Sequence, residues 1–341
     1  METASVIGYA QKRVMRSLRY AVPICLPVKL APAKLAPAAR LFLPFFLPTL
    51  FLDTSSMNAG PDATLNEVAL PRDAATVLLL RDAPGGFEVF MVKRSGLSDV
   101  LGEAHVFPGG KIDAADSSPA MLACIAGLET LDLAALGEDL PHARAAGMFV
   151  AAARETFEEA GVLLVQDAAQ VSARQLAGAR DRLNAKEPFA GVLAGLNLKL
   201  DASALAPWVR WVTPTVLARR FDARFFLALA PPDQTAVHDD HEATHSEWLT
   251  PQAAVARWER DEIKLAPPTF MSLQHLARFD SMAAAFADAR ARRPPVIQPL
   301  GFDLDGVRTL ALPGDEKHET RQQVIPGPVR LRYDGARYVP A

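Results

Sequence analysis

Four charged residues within six positions, Arg154, Glu155, Glu158 and Glu159, carry the strongest chemical signal in the 341-residue chain. On a helix the three glutamates stand at i, i+3 and i+4, so their carboxylates project from one face. Like charges so placed repel, and a hard divalent cation that takes oxygen ligands is an economical way to hold them together. Arg154 can pair with Glu158 one turn on. Taken alone, such a triplet is also what a solvated acidic helix face looks like.

The flanking residues say how that face would be held. Residues 74–80 (AATVLLL) and 87–94 (FEVFMVKR) read as strands joined by a turn through Asp82, Pro84, Gly85 and Gly86. Residues 106–111 (VFPGGK) form a tight loop, and 147–160 read as a helix stopped by Gly161 at its C-cap. Further strands are expected over 162–166, 208–212, 221–229, 247–249 and 329–333. Helices are expected over 168–185, 251–260, 269–279 and 281–292. Strands mixed with helices, without regular βαβ alternation, indicate an α+β fold.

Taken together, Gly110, Asp116, Arg154, Glu155, Glu158, Glu159, Gly161 and Val162 resemble the Nudix box: a Gly, five residues, an acid, a spacer, then Arg-Glu-U-x-Glu-Glu-x-Gly-U with U apolar. Three departures stand out. Asp116 replaces the usual Glu, Thr156 sits at an apolar position, and a 37-residue spacer, Ser117 to Ala153, separates the two halves. Such a spacer, with Lys93-Arg94-Ser95, Gly102, Trp211-Val212-Thr213-Pro214 and the run from Arg219 to Phe226, is similar to a subgroup that includes peroxisomal coenzyme A diphosphatases. The resemblance implies a Nudix fold, a mixed sheet packed between helices, with an insertion in the box and extra C-terminal helices. The resemblance covers the hydrolase domain (72–292, insertion about 117–147), and around it lie an N-terminal extension (1–57), a lead-in (58–71) and a C-terminal extension (293–341).

The activity that the resemblance implies is metal-dependent hydrolysis of a pyrophosphate in a nucleoside diphosphate linked to another group. The foremost substrate is coenzyme A or acyl coenzyme A; ADP-ribose, NADH and nucleotide sugars are alternatives. Glu155, Glu158 and Glu159 would hold Mg²⁺ or Mn²⁺, Arg154 would orient the carboxylates, and Gly109 and Gly110 would let backbone approach closely. The general base would be a box glutamate or a distal acid, Glu242 or Glu247. Lys93, Arg94, Arg219, Arg220 and Arg224 are candidate phosphate contacts. Trp208, Trp211, Phe225 and Phe226 are either an acyl or adenine pocket or plain core.

Composition limits the remaining choices. The chain is half apolar and 22% charged with a net charge of -3, which excludes collagen, coiled coil and wholesale disorder. A slightly acidic chain has no global reason to bind nucleic acid, so the expected partner is a small nucleotide. Cys25 and Cys124 are too few for a disulfide framework or a cysteine-based zinc site. Between Glu2 and Asp53 there are seven basic residues and no acid. That segment reads as organelle targeting or as sequence ahead of a true start at Met57. Its apolar run 41–52, broken by Pro44 and Pro48, is too short for stable membrane insertion. The default location is the bacterial cytoplasm, and oligomeric state is left open. Residues 241–245 spell HExxH, a zinc protease pattern with Glu262 as a conceivable third ligand, but the flanking residues read as loop and strand where that chemistry needs a helix. A Nudix fold kept only as a binding module is a third reading, which the intact glutamates disfavour.

Overall fold

The computed structural model describes residues 69–95, 102–137, 139–239 and 243–341. The lead-in up to 68, the N-terminal extension and its short apolar run lie outside the described residues. Strand β1 (Arg72–Ala83) is buried on both faces from Ala74 to Leu80 and sits at the centre of an eight-stranded sheet. A two-residue turn, Pro84 and Gly85 (φ +83°), returns the chain as β2 (Gly86–Arg94), with Ala83 opposite Gly86. Short strands β3 (His105–Val106) and β4 (Gly109–Lys111) pair with β2 and with the start of β1.

The insertion is built of short pieces: a 3-10 turn at Ala114–Ser117, α1 (Pro119–Leu122), β5 (Ile125–Ala126) and two more 3-10 turns, the second at Leu133–Leu136. Helix α2 (His142–Ala160) carries the glutamates and starts five residues before its expected start at 147. A Cβ on its Gly147 would lie 2.1 Å from Ser117 Oγ, so glycine there lets the insertion pack flush against the helix. Helices α3 (Ala173–Asn184) and α4 (Phe189–Leu196) follow, then β6 (Leu200–Asp201), β7 (Leu205–Val212), β8 (Phe221–Leu229) and β9 (Ala243–Leu249). Helices α5 (Pro251–Glu259), α6 (Pro267–Leu276) and α7 (Met282–Ala291) close this part.

Side-chain alternation in the strands divides the core in two. Leu78, Leu80, Met91, Trp208 and Phe225 face α5, α6 and α7; Val77, Leu79, Phe90, Val92 and Phe226 face α2, α3 and α4. The α+β expectation and the sheet between helices are therefore what the chain adopts. Trp208, Trp211, Phe225 and Phe226 are buried in these cores. Residues 162–166, expected as a strand, make only one isolated bridge, Val165 to Leu200. The side chain of Gln234 takes the place of a neighbouring strand there, accepting from Leu163 N (2.8 Å) and donating to Leu163 O (3.0 Å). The helix expected over 168–185 is shortened to α3, because Ser172 and Gln175 form a capping box that fixes its start.

The last fifty residues are more regular than their prolines suggest. Strand β10 (Val296–Ile297) joins β7, and β11 (Leu300–Leu304), β12 (Val307–Ala311), β13 (Arg330–Tyr333) and β14 (Tyr338–Pro340) form a second sheet. Leu310, Leu312, Ile325 and Leu331 share the core of α5 to α7. On that side His275 stacks on Trp208 with ring centroids 4.4 Å apart. Burial, aided by the Arg292 charge, pushes its pKa down to about 4. The unfolded chain, with imidazoles near 6.5, then binds more protons than the native state, so stability falls as pH drops from about 6.5 toward 4. We expect the thermal midpoint to fall over that window and to fall less in His275→Phe. An equal slope in both proteins would show that another group carries the effect.

Candidate active site

Arg154 organises the acidic face. Its Nε and one terminal nitrogen donate to the two oxygens of Asp116 at 2.9 and 3.0 Å. That same nitrogen donates to Lys111 O at 3.0 Å, and the other donates to Glu155 and Glu158, both at 2.9 Å. All five guanidinium donors are used. Asp116, the acid replacing glutamate in the box, is buried and also accepts from Asp113 N at 2.9 Å. Burial disfavours the charge on Arg154; Glu155, Asp116 and Glu158 outweigh it and hold the charge firmly.

The glycine loop meets the helix through backbone. Gly110 lies opposite Ala75 of β1, and a Cβ on it would sit 2.4 to 2.5 Å from the Glu155 carboxylate. Gly109 N donates to Glu159 at 3.0 Å, and a Cβ there would sit 2.4 Å from Ala75 O. Both glycines are thus required by close approach and not by a left-handed φ. The C-terminal turn of α2 is pinned from three sides. Gly161 (φ +69°) closes it, Arg180 gives two hydrogen bonds to Glu158 O, and Val237 N and Asp239 N donate to Ala160 O and Glu159 O. The Gln234 clasp fixes the strap from which these last two donors come, and no sequence signal marks that glutamine.

Four acids around one guanidinium, Asp113 at 3.9 Å besides Asp116, Glu155 and Glu158, leave the cluster short of positive charge. Burial pushes Glu155 up to about 8 against the pull of Arg154, and burial likewise raises Glu158. An all-carboxylate donor set that cannot spread its charge is chemistry suited to a hard divalent cation. Among the described residues, however, no three acidic, histidine or cysteine side chains converge as a formed cation cage. Arg154 holds Glu155 and Glu158 instead.

The outlying candidates divide. Glu242 lies outside the described residues. Glu247, the other distal acid, is opposite Met91 in β2 and so points to the sheet face away from α2, where it binds His105 (3.0 Å) and Arg257 (2.6 Å). It cannot serve as base for the glutamates. Lys93 points to that same face by alternation and pairs with Glu103. Arg94 is half-buried beside it, its backbone N–H donating to Ala104 O. Arg220 is turned onto backbone, donating to Thr213 O and Ala69 O, and Arg224 is held by Asp73 (3.0 Å) and Asp222 (2.9 Å). These arginines brace the β8 side of the sheet, because buried aspartate and carbonyl oxygens there need cationic donors. His241 also lies outside the described residues, but Ala243 to His245 belong to strand β9, with His245 opposite Lys93. The helix that an HExxH zinc site needs does not run through these positions, and Glu262 is paired with Arg260 and Arg257.

The chain is similar to known proteins in sequence and in fold. A family model described as the NUDT19 Nudix domain matches residues 71–276. A Gallus gallus protein named acyl-coenzyme A diphosphatase NUDT19 is 31% identical in an alignment 262 positions long that covers 62% of this chain and 69% of that protein. The Homo sapiens protein of the same name is 31% identical in an alignment 276 positions long that covers 68% of this chain and 72% of that protein. In structure the chain is similar to a Nudix hydrolase from Alicyclobacillus acidocaldarius, with a TM-score of 0.53 and 24% identity, covering 65% of this chain and 97% of that one.

Proposed function

The chain belongs to the Nudix hydrolases, through the NUDT19 type of Nudix domain, and on that premise we propose that it hydrolyses the pyrophosphate of coenzyme A or acyl coenzyme A. The products are 3',5'-ADP and phosphopantetheine or its acyl form. The observation that carries the reading is the joining of Gly109 and Gly110 to Glu155 and Glu159 around the Arg154 hub, in a chain whose relatives are named for that activity.

A water oxygen forms the new bond to one phosphorus, the P–O–P bridge breaks, and the water proton passes to a carboxylate. Glu155, Glu158 and Glu159 would hold Mg²⁺ or Mn²⁺, which when bound neutralises the non-bridging oxygens and acidifies the attacking water. Arg154 orients Glu155 and Glu158 and is itself fixed by Asp116. Gly109 N orients Glu159. The base is a glutamate of the box, Glu158 or Glu159, or Glu242, which lies outside the described residues. Bacterial cytoplasm is the proposed location.

The test is product analysis by mass spectrometry on the purified full chain with either cation. The panel is coenzyme A, acetyl and longer acyl coenzyme A, ADP-ribose, NADH and a nucleotide sugar. 3',5'-ADP with the matching phosphopantetheine is expected. Cleavage confined to the other compounds would overturn the substrate assignment and leave the hydrolase standing.

A further inference from the structure

Strands β4 and β8 flank β1 on opposite sides, and the glutamates meet β4, whereas a separate cluster of arginines lies over β8 and β7. There a cavity of about 150 Å³ opens between the insertion turn at Leu133–Leu136 and the sheet. Its charged lining is all cationic: Arg210, Arg224 and Arg293. Its walls include Pro207, Val209 and Phe225. Arg210 and Arg224 are cross-strand partners, so their side chains leave the sheet side by side on one face. Asp222 holds both, at 2.6 to 2.9 Å, and Asp73 takes Arg224. Neither aspartate lines the cavity.

Arg224 is 2% exposed, and its Nε has no hydrogen-bond partner. Burial works against its charge, with the neighbouring Arg210 adding to the strain, and the aspartates only partly offset this. A buried donor without an acceptor is costly, and an oxyanion is the group that would satisfy it. The volume is below the roughly 300 Å³ at which pockets begin to hold drug-sized ligands, so the occupant is a small group and not a nucleotide.

We propose that this cavity is a second, non-catalytic site that binds a small phosphate-type oxyanion through Arg210, Arg224 and Arg293. The site is independent of which pyrophosphate the glutamates cleave. Removing Arg210 or Arg224 would strand Asp222 or Asp73 and threaten folding, so two other variants test it. Arg293→Gln removes one cation, and Ala135→Phe fills the space while keeping every charge.

Calorimetric titration of the metal-free full chain with orthophosphate, at ionic strength fixed with chloride, is expected to show one saturable site. Half-saturation should rise roughly tenfold or more in Arg293→Gln, the loss of one charge-assisted hydrogen bond, and binding should vanish in Ala135→Phe. It should be unchanged in Glu158→Gln, which separates this site from the acidic face. Ethyl phosphate binding more tightly than orthophosphate would identify a phosphomonoester, and the reverse order would identify free phosphate; either supports the site. Absence of saturable binding, undiminished binding in Ala135→Phe, or loss in Glu158→Gln alone would overturn it.

Discussion

Glu158→Gln is expected to lower kcat by on the order of 10²–10⁴ while leaving the thermal midpoint equal to or above that of the wild type. Glu158 is one of three carboxylates hydrogen-bonded to Arg154, and its Oε2 lies 2.9 Å from that guanidinium. An amide of the same size can still accept that hydrogen bond, and Asp116 and Glu155 keep Arg154 in place from the other side. What disappears is one negative charge from a face that burial already disfavours ionising. Folding therefore gains from reduced repulsion, whereas a cation site or a proton acceptor loses the charge on which it depends. Turnover on coenzyme A, unfolding, and Mn²⁺ binding measured on the same preparation separate these effects. Wild-type turnover in this variant would remove Glu158 from the chemistry. Lost turnover with a lowered midpoint and unchanged Mn²⁺ affinity would make it a structural residue.

The glutamate face was legible because helical periodicity is local: three acids at i, i+3 and i+4 share a side whatever surrounds them. The glycine pair was legible for a related reason, since a Pro-Gly-Gly turn beside a strand implies backbone at close quarters. The cationic candidates were harder to place. Whether Lys93 or Glu247 faces α2 depends on strand parity, and parity is fixed only once β9 pairs with β2 so that Glu247 falls opposite Met91. Arg220 and Arg224 are cations by type, and only the tertiary fold shows that Arg220 is turned onto backbone and that Asp73, about 150 positions away, is an acid beside Arg224. Residues 162–166 have strand composition but no strand beside them along most of their length, and Gln234 fills the gap from 71 positions downstream. The C-terminal hairpin did carry a local signal. Asp305-Gly306, both with positive φ, is a two-residue turn between Leu304 and Val307, which the surrounding prolines obscured.

Gly110→Ala and Gly109→Ala should fail in different ways, although they are adjacent and chemically identical changes. The methyl of Gly110→Ala would enter the Glu155 carboxylate, with Oε1, Cδ and Oε2 all within 2.4 to 2.5 Å. A side chain can retreat, but Glu155 is buried and tied to Arg154 at 2.9 Å, so its retreat rotates the hub on which Glu158 also depends. The expected result is a folded protein, destabilised by about 1–3 kcal/mol, whose kcat falls by about 10² or more. The methyl of Gly109→Ala would instead meet Ala75 O at 2.4 Å and Thr76 Cα at 2.7 Å, which are backbone atoms of the central strand. Backbone in a paired sheet cannot turn aside, so β4 must leave β1, and the Gly109 N to Glu159 bond goes with it. That variant should lose about 3 kcal/mol or more, and its activity should track the fraction folded. Unfolding curves and kcat at a temperature where both variants are folded distinguish the two. Rescue makes the test specific: adding Glu155→Asp, which withdraws the carboxylate by one methylene, should restore stability to Gly110→Ala but not to Gly109→Ala. If Gly110→Ala keeps wild-type turnover, Glu155 does not act from the position it occupies beside the loop, and the metal role assigned to it is lost.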